Sequence, residues 1–229
     1  MCGRYAMTTP LPDLITQFEI TDNLFGEDVP RYNIAPGQEV AAIIIDSSKK
    51  IVRFRWGLMP PWMKEGSGNA IINARAETLR EKPSFRKLFT GKRCLLIANG
   101  FFEWQMKGNE KVPVYIKMKN DEPILFAGLY DVRTGADGKK IGTCTIITTG
   151  ANEMIAAFHE RMPVIIKKED AALWLDASSD ERLLLPLMGA YDASAMTMHE
   201  VSKAVNLIKN DDPSLILPLQ DDEKDRTLF

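Results

Sequence analysis

Apolar residues recur in short runs along this chain, and polar or glycine-containing segments separate the runs. The runs at residues 40–46 and 51–56 flank Ser47-Ser48-Lys49-Lys50 and together predict a β-hairpin. Further strands are predicted at residues 93–98, 114–119, 124–130, 143–148 and 164–166. Residues 133–140 contain two glycines, and this segment predicts the turn between two of those strands.

Helical patterns are short and lie between the strands. Helices are predicted at residues 10–18, 78–88, 151–158, 168–175 and 180–187. Thr149 or Asn152 is the expected cap of the third helix, and Ser179-Asp180 begins the last. Because strands and helices do not alternate regularly, the pattern favours the α+β class. We expect a single domain at residues 1–218, with a mixed, largely antiparallel, bifurcated or barrel-like sheet and short peripheral helices, and an acidic tail at residues 219–229.

Composition and charge restrict the function only weakly. The 229 residues are 45% hydrophobic and 26% charged, as in an ordinary globular protein. The net charge of -2 gives no global argument for nucleic-acid binding. However, the first 100 residues hold 14 basic and 10 acidic side chains, and the remainder hold 15 and 21. The first part of the chain therefore has the composition for a modest basic patch.

The cysteines and the apolar runs point to a reducing compartment. Three cysteines without a C-x-x-C pair argue against a disulfide framework. No signal-peptide pattern is present, and no apolar run approaches the ~18–20 residues that span a membrane. The expected location is therefore the cytoplasm. Because two histidines and three dispersed cysteines make a poor ligand set, we expect neither a metal nor a cofactor.

The most informative position is Cys2. An initiator methionine is removed when the next residue is small, so loss of Met1 would leave a chain that begins with a 1,2-aminothiol. Its amine titrates near pH ~8 and its thiol near ~8.5, so both are partly nucleophilic at neutral pH. The pair can attack one electrophilic carbon twice, giving an imine and then a five-membered thiazolidine. Taken alone, the placement is also consistent with an incidental second residue.

Three further polar residues are candidates for proton transfer, and each has a structural alternative. Glu103 lies among aromatic residues directly after an apolar run, where desolvation would raise its pKa, although an edge-strand surface position fits equally. His159 belongs to the residue type that titrates nearest neutral pH, but a histidine after a helix often acts as a cap. Asn73 precedes a predicted helix and could simply cap it.

Taken together, seven short motifs in a fixed order carry a resemblance to a known family. The chain closely resembles the SRAP (SOS-response-associated peptidase) family, whose members include abasic-site shields of bacteria and animals. The resemblance covers residues 2–163 in motifs and continues to about residue 218 in layout. The motifs are Cys2-Gly3-Arg4-Tyr5, Tyr32-Asn33-Ile34-Ala35-Pro36, Arg55-Trp56-Gly57-Leu58, Asn73-Ala74-Arg75-Ala76-Glu77, Gly100-Phe101-Phe102-Glu103-Trp104, Thr148-Thr149 with Ala151-Asn152, and His159-Glu160-Arg161-Met162-Pro163.

The resemblance implies a partner and a reaction. Members bind single-stranded DNA that contains an abasic site and form a thiazolidine crosslink to it through the N-terminal cysteine. A lasting imine would promote strand cleavage, and capture by sulfur suppresses that cleavage. For this chain the resemblance implies a monomer associated with the nucleoid, with no membrane and no metal. It leaves open whether a replication protein recruits it, and whether lyase activity or self-removal of Met1 accompanies the capture.

The resemblance also assigns roles to individual residues. Cys2 supplies the amine and the thiol, and Asn73 orients the terminal residue and the sugar. Glu103 relays protons, and His159 acts as general acid and base in ring opening and imine formation. The resemblance implies phosphate contacts by the guanidinium groups of Arg4, Arg75 and Arg161. It implies base stacking on Pro36, Trp56 and Trp104, and a weaker backbone contact at Thr148.

Two other functions remain open from the sequence. One is a thiol peptidase, including an autopeptidase, that uses Cys2, His159 and Asn73. The other is a non-catalytic single-stranded DNA binder in which Cys2 is dispensable. Crosslinking that depends on Cys2 distinguishes the proposed activity from such a binder.

Overall fold

The computed structural model describes residues 2–26, 30–60, 62–63, 70–135 and 138–219. The predicted tail therefore lies outside the described residues apart from Leu219, and so do Met1 and two residues of the turn predicted at 133–140. None of the helices in the described ranges has the length and apolar character needed to cross a bilayer.

The described chain is an α+β fold, as the sequence predicts. Its strands are β1 (Tyr5–Met7), β2 (Asp22–Asn23), β3 (Arg31–Ile34), β4 (Glu39–Ile45), β5 (Lys49–Trp56), β6 (Asn73–Arg75), β7 (Arg93–Ala98), β8 (Gly100–Lys107), β9 (Glu110–Met118), β10 (Ile124–Thr134), β11 (Lys140–Gly150), β12 (Arg161–Pro163), β13 (Ile165–Ile166) and β14 (Met196–Glu200). Its α-helices are α1 (Leu11–Gln17), α2 (Pro83–Gly91), α3 (Glu153–Ala156), α4 (Ala171–Leu175) and α5 (Glu181–Leu184). Short 3-10 helices lie at Ala76–Thr78, Lys168–Asp170, Pro186–Met188, Ala193–Ala195, Lys203–Asn206 and Pro213–Ile216.

Within the described residues the strands form two sheets. One runs in the order β14-β9-β8-β1-β3. The other runs in the order β12-β11-β10-β7-β4-β5-β2, and β6 pairs with β11 while β13 pairs with β10. A parallel pairing of β11 with β5 closes five strands of this second sheet into a ring. The prediction of a largely antiparallel, barrel-like sheet is therefore confirmed.

The N-terminal strand is an interior strand of the first sheet. On one side Tyr5 of β1 pairs antiparallel with Ile34 of β3, and on the other it pairs with Phe101 of β8. One residue before β1, the carbonyl of Arg4 accepts a hydrogen bond of 2.9 Å from the N–H of Phe102. The chain beside Cys2 is thus held along β8, close to the position of Glu103.

The main core lies between the two sheets and joins them through aromatic side chains. Tyr5 of the first sheet packs on Trp56 and Phe126 of the second, with ring centroids 5.3 and 5.8 Å apart. Phe101 makes an edge contact with Phe126 at 5.8 Å. Because all four rings are completely buried, they attach β1 and β8 rigidly to the barrel.

Several predicted elements are confirmed, and the helix predicted at 78–88 begins later than expected. The hairpin of β4 and β5 forms as predicted, and Asn152 caps α3 by accepting a hydrogen bond from Ile155 N at 3.1 Å. In contrast, the segment after β6 is a 3-10 turn, and α2 begins only at Pro83. The reason is local: a proline excludes the preceding residue from the helical region, so Lys82 is extended and Pro83 occupies the first helical turn.

The other helices are shorter than predicted, and the pattern missed seven strands. The segment at 168–175 divides into a 3-10 turn and α4, and the segment at 180–187 divides into α5 and a second 3-10 turn. The strands missed are β1, β2, β3, β6, β8, β12 and β14. Most of them have two to five residues, too few to show a period.

A glycine at the start of β8 permits a close approach that we expect to be essential for stability. A Cβ atom on Gly100 would lie 2.7 Å from the carbonyl oxygen of Ile116 and closer still to the ring of Tyr115. We therefore expect Gly100→Ala to lower the free energy of unfolding by about 1–3 kcal/mol, the usual cost of overpacking. Urea unfolding measures the difference. Gly91→Ala is the matched control, because a Cβ there meets no atom within 4 Å, and equal stability of the two variants would contradict the prediction.

Candidate active site

Cys2 is completely buried at the entrance to β1. Its carbonyl oxygen accepts a hydrogen bond of 2.9 Å from Asn73 Nδ2, and its Sγ lies 3.9 Å from the carbonyl oxygen of Arg4. Burial raises the pKa of the Cys2 thiol, and the negative charge of Glu103 raises it further. The sulfur is therefore a protonated thiol at neutral pH in this structure.

Asn73 begins β6 and joins the N-terminus to the barrel. β6 runs parallel to β11, with Asn73 opposite Ile146. The Asn73 Nδ2 atom donates to Cys2, whereas its Oδ1 is buried and accepts no hydrogen bond from the described part of the chain. A buried acceptor without a partner is costly, so this oxygen is suited to a donor on a ligand.

Glu103 is a buried carboxyl group on the inner face of β8. Side chains alternate along a strand, so Glu103 points to the same side as Phe101, which packs in the main core. The side chain is 4% exposed. Burial raises the pKa of Glu103, and the nearby His159 opposes part of that rise. A carboxyl group with a raised pKa accepts a proton more readily than an ordinary carboxylate.

His159 is held just after α3 by contacts that suit two protonation states. Its backbone N–H donates to the carbonyl of Ile155 at 2.9 Å. The ring Nδ1 lies 2.9 Å from both the backbone N–H and the carbonyl oxygen of Arg161. A neutral ring accepts from that N–H, which leaves the proton on Nε2, whereas an imidazolium ring can donate to the carbonyl. Both states thus have a partner, as acid–base exchange requires.

The structure brings together the four residues predicted to carry the chemistry. Asn73 is hydrogen-bonded to Cys2, and the charge of Glu103 acts on the Cys2 thiol. His159 in turn acts on the Glu103 carboxyl. These residues come from β6, the entrance to β1, β8 and the segment after α3, so only the folded chain assembles them.

Arg161, at the start of β12, is a largely buried arginine. Its Nη1 and Nη2 donate to the two carboxylate oxygens of Glu77 at 2.6 and 2.9 Å. Nη2 also donates to the carbonyl oxygen of Thr148 at 2.6 Å. Thr148 is itself completely buried on β11. The carbonyl of Thr148 is thus bonded to Arg161 in this structure, and the DNA contact predicted for Thr148 stays a prediction.

Arg4 is directed toward the C-terminal part of the chain. Its Nη1 donates at 2.6 Å both to Asn33 Oδ1 and to the carbonyl oxygen of Val205. Asn33 is completely buried, and its amide also donates to the carbonyl oxygens of Val205, Leu207 and Asn210. Burial lowers the pKa of the Arg4 guanidinium. Arg4 therefore anchors the N-terminal strand, and its predicted phosphate contact stays a prediction.

Two of the other predicted DNA contacts lie on the surface. Arg75 is exposed at the end of β6, two residues from Asn73. Pro36 is exposed in a tight turn, which is closed by a hydrogen bond of 3.3 Å from Gln38 N to the carbonyl of Ala35. Gly37 has φ +88°, so the turn is of type II, with proline and glycine in the positions that this type favours.

The predicted stacking role of Trp56 is wrong for this structure, whereas that of the partly buried Trp104 stays a prediction. Trp56 is completely buried, and its Nε1 donates to the carbonyl of Ile72 at 2.9 Å, so neither ring face can meet a base. Trp104 follows Glu103 and therefore points to the opposite face of β8. There it packs against the small cluster that contains Phe102 and Val205, and its Nε1 donates to Asn206 at 2.8 Å.

Sequence reasoning missed three residues that the geometry makes relevant. Trp62 is 64% exposed in the segment between Trp56 and Asn73, and it offers the ring surface that the buried Trp56 lacks. Asn33 and Glu77 each hold one of the predicted arginines. Asn33 and Glu77 belong to two of the seven motifs, and that membership was the signal available in the sequence. The signal for Trp62 was its place in a segment rich in aromatic residues and proline.

No group of three or more His, Cys, Asp or Glu side chains able to hold a metal ion occurs among the described residues.

The fold and the site define a protein with a buried cysteine at its second position, surrounded by groups able to transfer protons. The family model described as SOS response associated peptidase (SRAP) matches residues 1–208, and the chain belongs to that family. It is 45% identical over 221 residues to the abasic site processing protein YoqW of Bacillus subtilis, spanning 94% of this chain and 99% of that one. It is 31% identical to the abasic site processing protein HMCES of Gallus gallus, over 83% of this chain and 67% of that one. A crystal structure of a Bacteroides thetaiotaomicron protein is similar, with a TM-score of 0.87 and 26% identity over 96% of this chain and 100% of that one.

Proposed function

We propose that this protein binds abasic sites in single-stranded DNA and captures them covalently through Cys2 after removal of Met1. The product is a thiazolidine that joins the chain to the opened sugar and shields the lesion. The names of the curated relatives, abasic site processing proteins, support an abasic site as the substrate. The observation that carries the proposal is that Asn73 and Glu103 meet at the buried Cys2 and that His159 acts on Glu103.

The proposed reaction is a condensation that releases one water molecule. The ring-opened sugar presents an aldehyde, and the lone pair of the Cys2 amine adds to its carbon. The aldehyde oxygen then leaves as water, with two protons taken from the nitrogen, and an imine results. The sulfur next adds to the imine carbon while its proton passes to the nitrogen. This step closes the five-membered ring. The aldehyde oxygen is the one atom lost from the DNA, and no oxidant is needed.

The site residues suit the individual proton transfers. His159 can donate to the ring oxygen of the closed sugar and so favour the aldehyde. Glu103 can take the proton from the thiol and return it to the nitrogen, because burial raises its pKa. Asn73 fixes the carbonyl of Cys2, and its buried Oδ1 can accept a hydrogen bond from the sugar. The geometry therefore supports one role for each group.

The pKa of Cys2 favours this chemistry over a thiol peptidase. A cysteine peptidase attacks through its thiolate, which is formed beforehand or by an adjacent general base, and electropositive, partly exposed surroundings favour that thiolate. Cys2 has the opposite setting, because burial and the charge of Glu103 both raise its pKa. In thiazolidine formation the amine attacks first, and the thiol gives up its proton only as the ring closes.

The proposal predicts a denaturation-resistant adduct that requires Cys2 to be the first residue. Intact-mass analysis first establishes that the purified chain begins at Cys2. Incubation with a single-stranded oligonucleotide carrying one abasic site should then give a slower band on a denaturing gel. The mass of the adduct should equal protein plus DNA minus one water.

The matched control keeps the thiol and moves the terminal amine to another residue. In a variant with one alanine inserted before Cys2, the free α-amine belongs to the alanine and the Cys2 nitrogen is an amide, so the thiazolidine ring cannot close. We expect its yield of denaturation-resistant adduct to fall below about one hundredth of that of the wild type. An oligonucleotide without the abasic site should give no adduct. A wild-type chain that begins at Cys2 and forms no adduct would refute the crosslinking proposal, and undiminished noncovalent binding would then identify a DNA binder.

A further inference from the structure

The ion pair between Glu77 and Arg161 places a carboxylate where a DNA phosphate would bind. Arg161 uses two nitrogens for the two oxygens of Glu77, at 2.6 and 2.9 Å. A guanidinium binds a phosphate with the same paired geometry. The carboxylate is thus a geometric substitute for a phosphate group on the guanidinium of Arg161.

The exposure of the two side chains shows which partner faces solvent. The side chain of Arg161 is 12% exposed, whereas that of Glu77 is 53% exposed. A ligand that approaches from solution therefore meets the carboxylate before the guanidinium. Glu77 lies on a 3-10 turn just after β6, whereas Arg161 is also held from behind by the carbonyl of Thr148. Glu77 is accordingly the partner that can move away.

The energetics allow an exchange of partners. The Arg161 side chain is largely desolvated, and a buried charge without a partner is strongly unfavourable, so the carboxylate of Glu77 stabilises the free protein. A phosphate would supply the same compensation. The released Glu77, already half exposed, returns to water at little cost. The free-energy change of the exchange is therefore close to zero. A phosphate that binds Arg161 contributes less binding free energy than it would at an arginine without a carboxylate partner.

We propose that Glu77 occupies Arg161 as an internal phosphate mimic until a DNA phosphate replaces it, and that this competition lowers the affinity for undamaged single-stranded DNA. The inference rests on the proposed function, because it assumes that single-stranded DNA reaches this site. Arg161 also donates its backbone N–H to His159, so the exchange takes place beside a catalytic residue. Glu77 thereby helps to restrict firm binding to DNA that gains additional contacts at Cys2.

The carboxylate remains charged throughout the neutral range. Its hydrogen bonds from Arg161 lower the pKa of Glu77, and the positive charge of Arg75 also contributes to the shift. Protonation of Glu77 therefore cannot release Arg161 at neutral pH. The competition is relieved only when another anion takes its place.

The test measures binding to an undamaged single-stranded oligonucleotide, so it does not depend on crosslinking. Glu77→Gln keeps the size of the side chain and removes its charge. We expect about 3- to 10-fold tighter binding than wild type at low salt, with a smaller gain at high salt as charges are screened. Glu81→Gln is the matched control, since Glu81 is an exposed carboxylate four residues further on. It should change binding by less than about twofold.

A double-mutant cycle assigns the effect to the pair. In an Arg161→Gln background, Glu77→Gln should give no gain, because the guanidinium that it releases is absent. The proposal is overturned if Glu77→Gln binds no tighter than wild type, if Glu81→Gln gives the same gain, or if the gain persists without Arg161. Crosslinking to an abasic oligonucleotide, measured on the same variants, keeps the two proposals separate. A normal adduct without a binding gain refutes only the role of Glu77.

Discussion

If Cys2 captures abasic DNA as proposed, replacing it by serine is expected to give strand cleavage in place of capture. Serine is also small enough for Met1 to be removed, so the chain still begins with an α-amine that can form an imine with the abasic aldehyde. Its hydroxyl is a much weaker nucleophile than a thiol, and the imine is therefore not trapped. The imine acidifies the neighbouring sugar carbon, and β-elimination then breaks the strand.

The expected result of Cys2→Ser is a fall of roughly 100-fold or more in stable adduct together with a rise in shortened DNA. A denaturing gel that resolves both products measures the change, and borohydride should trap the imine as a reduced adduct. Cys144→Ser is the matched control, because that thiol is buried and directs a weak hydrogen bond to the carbonyl of Arg55, which a hydroxyl can replace. A serine variant that forms as much heat-stable adduct as the wild type would contradict the assigned role of sulfur.

Replacing Glu103 by glutamine is expected to affect rate and stability in opposite directions. The amide cannot take the proton from the thiol, so we expect crosslinking to slow by about 10²- to 10⁴-fold. Burial raises the pKa of Glu103 in the folded protein. Such a group stabilises the fold below its ordinary pKa, and this contribution is lost as the pH rises through the raised value. Glutamine never ionises, so the variant should be the more stable protein at neutral pH.

Crosslinking rates at neutral pH and thermal unfolding at about pH 4 and about pH 7 measure both effects. The advantage in melting temperature of Glu103→Gln should be present at the higher pH and shrink at the lower one. Glu160→Gln is the matched control, since Glu160 is an exposed carboxylate beside His159. A Glu103→Gln variant that crosslinks at the wild-type rate would remove Glu103 from the mechanism, and one that is less stable at neutral pH would contradict the inferred pKa.

The sequence was most informative where chemistry depends on a single position. The placement of Cys2 suggests an aminothiol without any knowledge of the fold, and the aromatic neighbours of Glu103 correctly suggest desolvation. Aromatic residues are less informative about DNA contacts. Trp56 and an exposed stacking residue have the same local pattern, and only the packing of Trp56 against Tyr5 shows that it belongs to the core.

The remaining parts of the site depend on contacts between distant segments. Asn33 contacts a carbonyl 172 positions further along the chain, and Arg161 meets Glu77 across 84 positions. No local period or motif chemistry encodes such pairs. The same reason explains why β1 was missed, since a three-residue strand is defined by its partners β3 and β8 rather than by its own pattern.

The interior position of β1 has a consequence for the order of events during synthesis. Cys2 is synthesised about 100 residues before β8, the strand that completes its surroundings. At roughly 5–20 residues per second, the N-terminus waits on the order of 5–20 s for that strand. In the finished fold Cys2 is completely buried. The site residues on β8 therefore cannot act on Cys2 until that strand has been made and folded.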